Sequence, residues 1–279
     1  MDYTRIRMQP LSAALGAEIS GVDLSSPLDD TLVAELRHAF LAHLVIFLRD
    51  QSLTPEQFLG FARTMGEPSE YPMVKGLDGY PEITEVIKKE DERVNFGGVW
   101  HSDTTYLERP PMGTMLLARE VPPVGGDTLF ANMILAYESL SPGLRCLLDG
   151  LTAINTSDKD MAAATRADRI RERPGEAGDS VNTAEHPIVR THPETGRKAL
   201  YVNPGHTVRI AGFSEEESAP ILEYLYAQQI RPEFTCRFRW RRGTLAIWDN
   251  RCCMHYPHND YAGETRAMQR VIIEGETPE

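Results

Sequence analysis

The run Trp100 to Thr105, WHSDTT, sets an imidazole and a carboxylate two residues apart behind an apolar lead-in. On an extended strand His101 and Asp103 share a face, because strand side chains alternate with a period of two, so both can address one ion. The pair is a weak signal by itself in a chain with 8 His and 41 acidic residues. A second imidazole, His255, follows far downstream in the run WDNRCCMH that starts at Trp248. Two imidazoles and one carboxylate leave part of a metal's coordination sphere open, the donor set of non-haem Fe(II) centres that use oxygen. Three protein ligands plus a water also describe a catalytic zinc site, so the ligands alone leave both chemistries standing.

Ligands so far apart in sequence need elements that become neighbours in space. Residues 5 to 24 read as a pair of short strands with turns at Gly16 and Gly21. Asp29 or Asp30 can cap a helix carrying Leu32, Val33, Leu36 and Phe40, which leads into the apolar strand LVIFLRD. Thr54-Pro55-Glu56-Gln57 and Ser214-Glu215-Glu216-Glu217 are capping boxes, and Ser141-Pro142 opens a further short helix. Strands are expected in ITEVIKK, after the His-x-Asp run, after Gly125-Gly126-Asp127, around PIVRTHP and KALYVNPGHTVRI, and in FTCRFRW and TLAIWDN. In the final strand, TRAMQRVIIEG, Arg266, Met268, Arg270 and Ile272 share one face. Residues 157–186 are charged and poor in large apolar groups, which predicts a mobile loop or a lid over a site. Many strands with a few helices between them predict a mainly β fold, a barrel or sandwich with flanking helices.

Length and charge narrow the function. At 279 residues the chain can bury a substantial core, and a single domain over 1–279 is the simplest expectation. A net charge of -12 and a pI of about 5.2 argue against nucleic-acid or anionic-membrane partners, whose surfaces would repel it. Cys146, Cys236, Cys252 and Cys253 are too few and scattered for a disulfide framework, and no Cys-x-x-Cys suggests structural zinc. Reduced thiols, an N-terminus without an apolar signal core and the lack of a membrane-length apolar run predict a soluble cytoplasmic protein. His192 and His258 lie beside turns and are expected at the surface, whereas Cys252 and Cys253 are expected to pack.

WHSDTTY, GGDTLFANM, WDNRCCMHY and the ending TRAMQRVIIEG, in this order, resemble the taurine dioxygenase and 2,4-dichlorophenoxyacetate dioxygenase family, as do RIRMQPLSAALGAEISGVDL and THPETGRKALYVNPG. The resemblance covers essentially the whole chain. It implies a double-stranded β-helix core of the jelly-roll, cupin-like kind, with Fe(II) bound by His101, Asp103 and His255. It further implies that Thr128 and Arg266 hold 2-oxoglutarate, that O2 is the other cosubstrate, and that Arg270 faces the substrate's anionic group. The implied reaction converts 2-oxoglutarate to succinate and CO2 and hydroxylates a small organic anion. Where the carbon bears a sulfonate, ether oxygen or amine, the product can then fragment. Related halogenases lack the carboxylate that Asp103 supplies, so its presence favours hydroxylation. A dimer or tetramer is implied by resemblance alone.

The chemistry of each residue agrees with its implied role. A planar guanidinium such as that of Arg266 offers a bidentate fork to the distal carboxylate of a 2-oxo acid. Substrate-facing candidates are Arg270, His206, Tyr71 and Lys75. Taurine dioxygenase has a His and a Tyr in the loop where this chain reads Glu70 to Val74, an Asn at Gly97 and a Phe at His206. The run YPMVKGLDGYPEI is closer to the aryloxyalkanoate branch and supplies Lys75 as a second cation. Three other readings compete: a zinc hydrolase on the same His/Asp/His set, a β-helix protein that only binds a ligand, and an oxygenase of nucleic acid or protein. The arginine pair on the last strand opposes the first, and the acidic balance opposes the last.

Overall fold

The strand Leu245–Asp249 is buried along its whole length, and its two faces feed different cores. Ala246 and Trp248 join one apolar cluster, Leu245 and Ile247 another. The same split divides Val45 and Phe47 from Ile46 and Leu48 in the strand Val45–Leu48, and Leu116 and Ala118 from Met115 and Leu117 in Gly113–Glu120. Strands buried on both faces need a layer on each side, and this requirement organises the molecule. The structure, a computed structural model, describes residues 3–72, 74–159, 164–165 and 181–279.

Among the described residues, nine strands form the large sheet. Its order runs Arg7–Pro10, Ala17–Ser20, Val45–Leu48, Leu245–Asp249, Gly113–Glu120, Arg266–Ile273, Tyr80–Lys88 and Gly76–Leu77, with Pro68–Ser69 added to the end of Arg266–Ile273. The helices Asp30–His43 and Pro55–Met65 cover one face through Leu36, Phe40, Phe58, Ala62 and Met65. A three-stranded sheet of Thr235–Phe238, Thr128–Asn132 and Cys253–Pro257 covers the other. Across that interface Phe47 stacks on Phe238 at 3.6 Å between ring centroids and meets Phe130 edge-on at 5.5 Å. The result is the mainly β architecture with flanking helices that the strand pattern predicts.

Local signals act as expected. Asp29 caps Asp30–His43 by accepting from the Leu32 amide, Thr54 and Ser214 form complete capping boxes, and Ser141 caps Pro142–Leu148. One boundary differs. Residues 183–186, read as part of a charged loop, belong to the strand Thr183–Pro187, which pairs antiparallel with Thr152–Thr156. The polar run TAEHP joins the sheet through backbone bonds and buries His186 without supplying an apolar face. Most of the remainder of 157–186, and with it the expected loop or lid, lies outside the described residues.

The N-terminal strand is tied to the first helix by one carboxylate. Glu35 is buried and accepts from the Thr4 amide and hydroxyl, both at 2.7 Å, the Arg5 amide at 2.9 Å and the Ile6 amide at 3.1 Å. Burial alone would raise its pKa, but these four bonds outweigh it and hold the value at about 2. An unfolded Glu titrates at about 4.3, so this group stabilises the fold fully above that pH and loses its contribution as pH falls through about 2. Glu35→Gln is therefore expected to melt below the wild type at pH 7, with the gap closing between about pH 5 and pH 2. Thermal melts across that range check it.

Candidate metal and cosubstrate site

His255 lies in the strand Cys253–Pro257, and His101 meets it through an isolated antiparallel bridge. Both backbone bonds are made, His101 N–H to His255 O at 3.1 Å and His255 N–H to His101 O at 2.9 Å. Beyond His101 the expected strand does not continue. Residues 103–106 turn, with Thr104 at φ 46°. The turn is held by the Ser102 hydroxyl donating to Cys253 O at 3.1 Å and the Asp103 amide reaching Asn250 Oδ1 at 3.4 Å. Asp103 thus returns to His101 by chain reversal and not by strand alternation, leaving 3.6 Å between its Oδ1 and His101 Nε2. The ligand atoms of His101, Asp103 and His255 all lie within 4.8 Å of one another, and all three residues are buried.

Protonation suits metal binding. His101 Nδ1 lies 2.7 Å from Val99 O, an acceptor only, so this nitrogen carries the proton and Nε2 keeps its lone pair. Burial, and next the neighbouring His101, press the pKa of His255 down to about 3, which makes it a neutral imidazole. Burial opposes ionisation of Asp103, but the Arg270 guanidinium, the largest influence against it, holds the carboxyl well below its usual range. Asp103 Oδ2 accepts from the Thr114 hydroxyl at 2.6 Å, Thr114 Oγ1 accepts from Asn250 Nδ2 at 2.9 Å, and Asn250 Oδ1 accepts from Trp248 Nε1 at 2.9 Å. Sequence reading missed Thr114 and Asn250. The available signal for Thr114 was a lone hydroxyl in the apolar strand sequence GTMLLA.

Arg266 and Arg270 project inward from Arg266–Ile273, and both are buried. Among the described residues, Nε and Nη2 of each guanidinium have no hydrogen-bond partner. Arg270 Nη2 stands 3.7 Å from Asp103 Oδ1, and its guanidinium lies 4.3 Å from the Tyr71 ring centroid. The triad, Arg266, Arg270 and Thr128 line one cavity of about 460 Å³. Thr128 opens the strand Thr128–Asn132, and its Oγ1 accepts from Trp240 Nε1 at 2.9 Å. A second cavity of about 300 Å³ is lined by Tyr71, Phe96, Tyr106 and His206 and shares His101 and Asp103 with the first.

Gly97 belongs to both linings and stands at φ 71°, where a Cβ would come within 3.0 Å of His101 Cε1 and 3.3 Å of Nε2. Glycine leaves His101 Nε2 uncovered.

The structure places His206 in the second cavity, edge-on to Tyr106 at 5.0 Å. It does not bring Lys75 to either cavity. That side chain is exposed and paired with Asp78 at 2.7 Å, because its loop carries its own acid three residues on. His258 is half-buried, and Cys252 and Cys253 are buried. His192 is 1% exposed, contrary to its reading as a surface turn residue. It donates from Nε2 to Asp249 Oδ2 at 2.9 Å while Nδ1 accepts from the Glu194 and Thr195 amides, both at 3.2 Å. His192, Asp249 and Cys252 also cluster at metal-ligand range. Arg251 occupies Asp249 through Nε at 2.8 Å and Nη2 at 2.7 Å, so Asp249 and His192 are committed to an ion-pair network, and burial keeps the Cys252 thiol protonated.

Two neutral imidazoles and an ionised carboxylate, buried beside two guanidiniums with unmade hydrogen bonds on a mainly β scaffold, form a group that could hold a metal ion, and comparison with known proteins narrows the class. The sequence model of the "Taurine catabolism dioxygenase TauD, TfdA family" matches residues 7–272. An "Alpha-ketoglutarate-dependent sulfate ester dioxygenase" from Pseudomonas putida is 37% identical, the match covering 97% of this chain and 90% of that protein. An "Alkylsulfatase" from Acinetobacter baylyi is 35% identical over 98% of this chain and 86% of its own length. The crystal structure of a taurine dioxygenase from Burkholderia xenovorans superposes with a TM-score of 0.83 at 38% identity, covering 99% of this chain and 93% of that one. The chain belongs to the TauD, TfdA family, and with it to the 2-oxoglutarate-dependent dioxygenases.

The Thr114 bond gives a direct test of how Asp103 is held. Thr114→Val keeps the shape, removes the 2.6 Å donor and is expected to weaken divalent-metal affinity about 10- to 100-fold, the usual scale for a lost partner of a metal ligand. Metal titration of the apoprotein by calorimetry measures it.

Proposed function

We propose that this chain is a single-domain cytoplasmic dioxygenase on a double-stranded β-helix core, using Fe(II), 2-oxoglutarate and O2 to hydroxylate a small organic anion. His101, Asp103 and His255 hold the iron, and the observation that carries the reading is the pair of buried guanidiniums beside them with donors left unmatched. Leaving buried cationic donors unmatched is costly, so an anionic ligand is the economical explanation for each. Arg266, with Thr128, takes the distal carboxylate of 2-oxoglutarate. Arg270, which lines the first cavity beside Asp103 and lies over the Tyr71 ring of the second, takes the substrate's anionic group. A zinc hydrolase on the same ligands has no use for the Arg266 fork.

When bound, Fe(II) supplies oxidative decarboxylation of the 2-oxo acid to succinate and CO2 and oxygen transfer to a substrate C–H bond. The protein's own work is placement. The unmade bonds of Arg270 orient the anion, and Tyr71, Phe96 and Tyr106 enclose the apolar remainder and exclude water. Sulfate esters are the proposed substrate class, because the relatives described as a sulfate ester dioxygenase and an alkylsulfatase match almost the whole chain. Hydroxylation of the carbon that bears the ester oxygen leaves a product whose hydroxyl loses its proton as the C–O bond breaks, giving a carbonyl compound and sulfate.

Anaerobic reconstitution with Fe(II) and 2-oxoglutarate is expected to give the visible charge-transfer band of the chelate, and His255→Ala to abolish it. On admitting oxygen, alkyl sulfates are expected to stimulate succinate release more than sulfonates or aryloxyalkanoates. Metal binding without a band in the wild type overturns the dioxygenase reading, and stimulation by another anion class overturns the substrate.

A further inference from the structure

A third buried cation stands beside Arg266. Lys88 ends the strand Tyr80–Lys88 and is the direct antiparallel partner of Arg266. Directly opposed residues on paired strands project to the same face with their Cβ atoms about 5 Å apart. Val86, two positions earlier on that face, lines the cosubstrate cavity. Lys88 is 4% exposed, and its Nζ has no hydrogen-bond partner among the described residues. Its nearest described aromatic contact is the Tyr261 ring, 4.4 Å from Nζ to the centroid. The one carboxylate acting on Arg266, Asp127, accepts from Arg237 Nε on Oδ2 at 2.6 Å and makes no hydrogen bond to Arg266, its Oδ1 having no partner among the described residues. Arg266 lines the cavity and Lys88 stands directly beside it, just outside that lining, and neither cation makes an ion pair among the described residues, which costs stability unless a ligand supplies the charge.

We propose that Lys88 is a second cation for the distal carboxylate of the 2-oxo acid, a positioning residue that joins Arg266 in selecting a five-carbon dicarboxylate over monocarboxylic 2-oxo acids. The inference rests on the cosubstrate reading above. A carboxylate has two oxygens and several lone pairs, enough for a guanidinium fork and an ammonium together. Tyr261 forms the floor that holds the ammonium in place.

The test is calorimetric titration of anaerobic Fe(II)-loaded wild type and Lys88→Met with 2-oxoglutarate and, separately, pyruvate, which has the same chelating end and no distal carboxylate. Lys88→Met is expected to weaken 2-oxoglutarate binding about 10- to 100-fold, the scale of a charge-assisted hydrogen bond, and to leave pyruvate unchanged. Lys88→Arg is expected to restore most of the loss. Equal weakening of both ligands assigns Lys88 a purely structural role and overturns the proposal, as does unchanged binding of both. If Lys88→Met fails to fold, Lys88→Gln, which keeps length and polarity without charge, carries the same expectation. A wild type that does not bind 2-oxoglutarate sinks the dioxygenase reading itself, so the two failures are distinguishable.

Discussion

The two backbone hydrogen bonds exchanged by His101 and His255 are the constraint on which the site depends. Directly opposed residues of an antiparallel pair send their side chains to the same side, so one bridge fixes two imidazoles from distant sequence in mutual reach. Their rings stand 4.2 Å apart between centroids. A slip of one residue would turn Met254 or Tyr256 toward His101 and His255 away from the cavity, which is why Cys253–Pro257 must be held in register by five ladder partners on Thr128–Asn132. The phenylalanine contacts between the sheets keep that small sheet against the large one. The core therefore acts on the chemistry through register.

Much of this was legible in the sequence because it rests on local rules. The capping boxes at Thr54 and Ser214, the alternation of Arg266, Met268, Arg270 and Ile272, and the start of a strand at Thr128 each follow from period and cap chemistry within a few residues. The errors have a common physical origin, since each needed a partner from elsewhere in the chain. Alternation put Asp103 on a strand, but Asn250 and Cys253 bend the chain into a turn there. Turn residues around His192 suggested solvent, but Asp249 lies beneath it on a central strand. Lys75 looked like a spare cation until Asp78 took it. Thr183–Pro187 has no apolar periodicity and becomes a strand through the edge it meets.

The charged residues of the interior divide into two kinds, and the division locates function better than burial does. Asp249, Arg251, His192 and Glu194 form a closed set in which Arg251 spans both carboxylates, at 2.7 Å to Asp249 Oδ2 and 2.7 Å to Glu194 Oε1. Such a network satisfies itself, and removing one member would strand the rest. Arg266, Arg270 and Lys88 are equally buried and form no closed set. The Asp103 carboxylate near Arg270 and the aromatic rings beside all three return only part of the cost of desolvating them. On adjacent strands, with Arg266 and Arg270 in the cavity wall and Lys88 beside Arg266, they mark a place whose electrostatics what enters the cavity would complete.

The two cavities meet at Phe96, Gly97, His101 and Asp103, which separates the demands on the protein. Thr128, Arg266, Arg270 and His255 ride on strands, and His101 on the bridge, where ladder bonds fix the geometry. Tyr71, Gly97 and His206 come from connecting segments outside the named strands and helices. Segments of that kind tolerate change without disturbing register, so the wall of the second cavity can vary while the strand-borne wall of the first stays rigid. Gly97 marks the boundary. Its positive φ and the 3.0 Å approach that a Cβ there would make to His101 mean that the first side-chain carbon added would press on that imidazole, coupling the variable wall directly to the rigid centre.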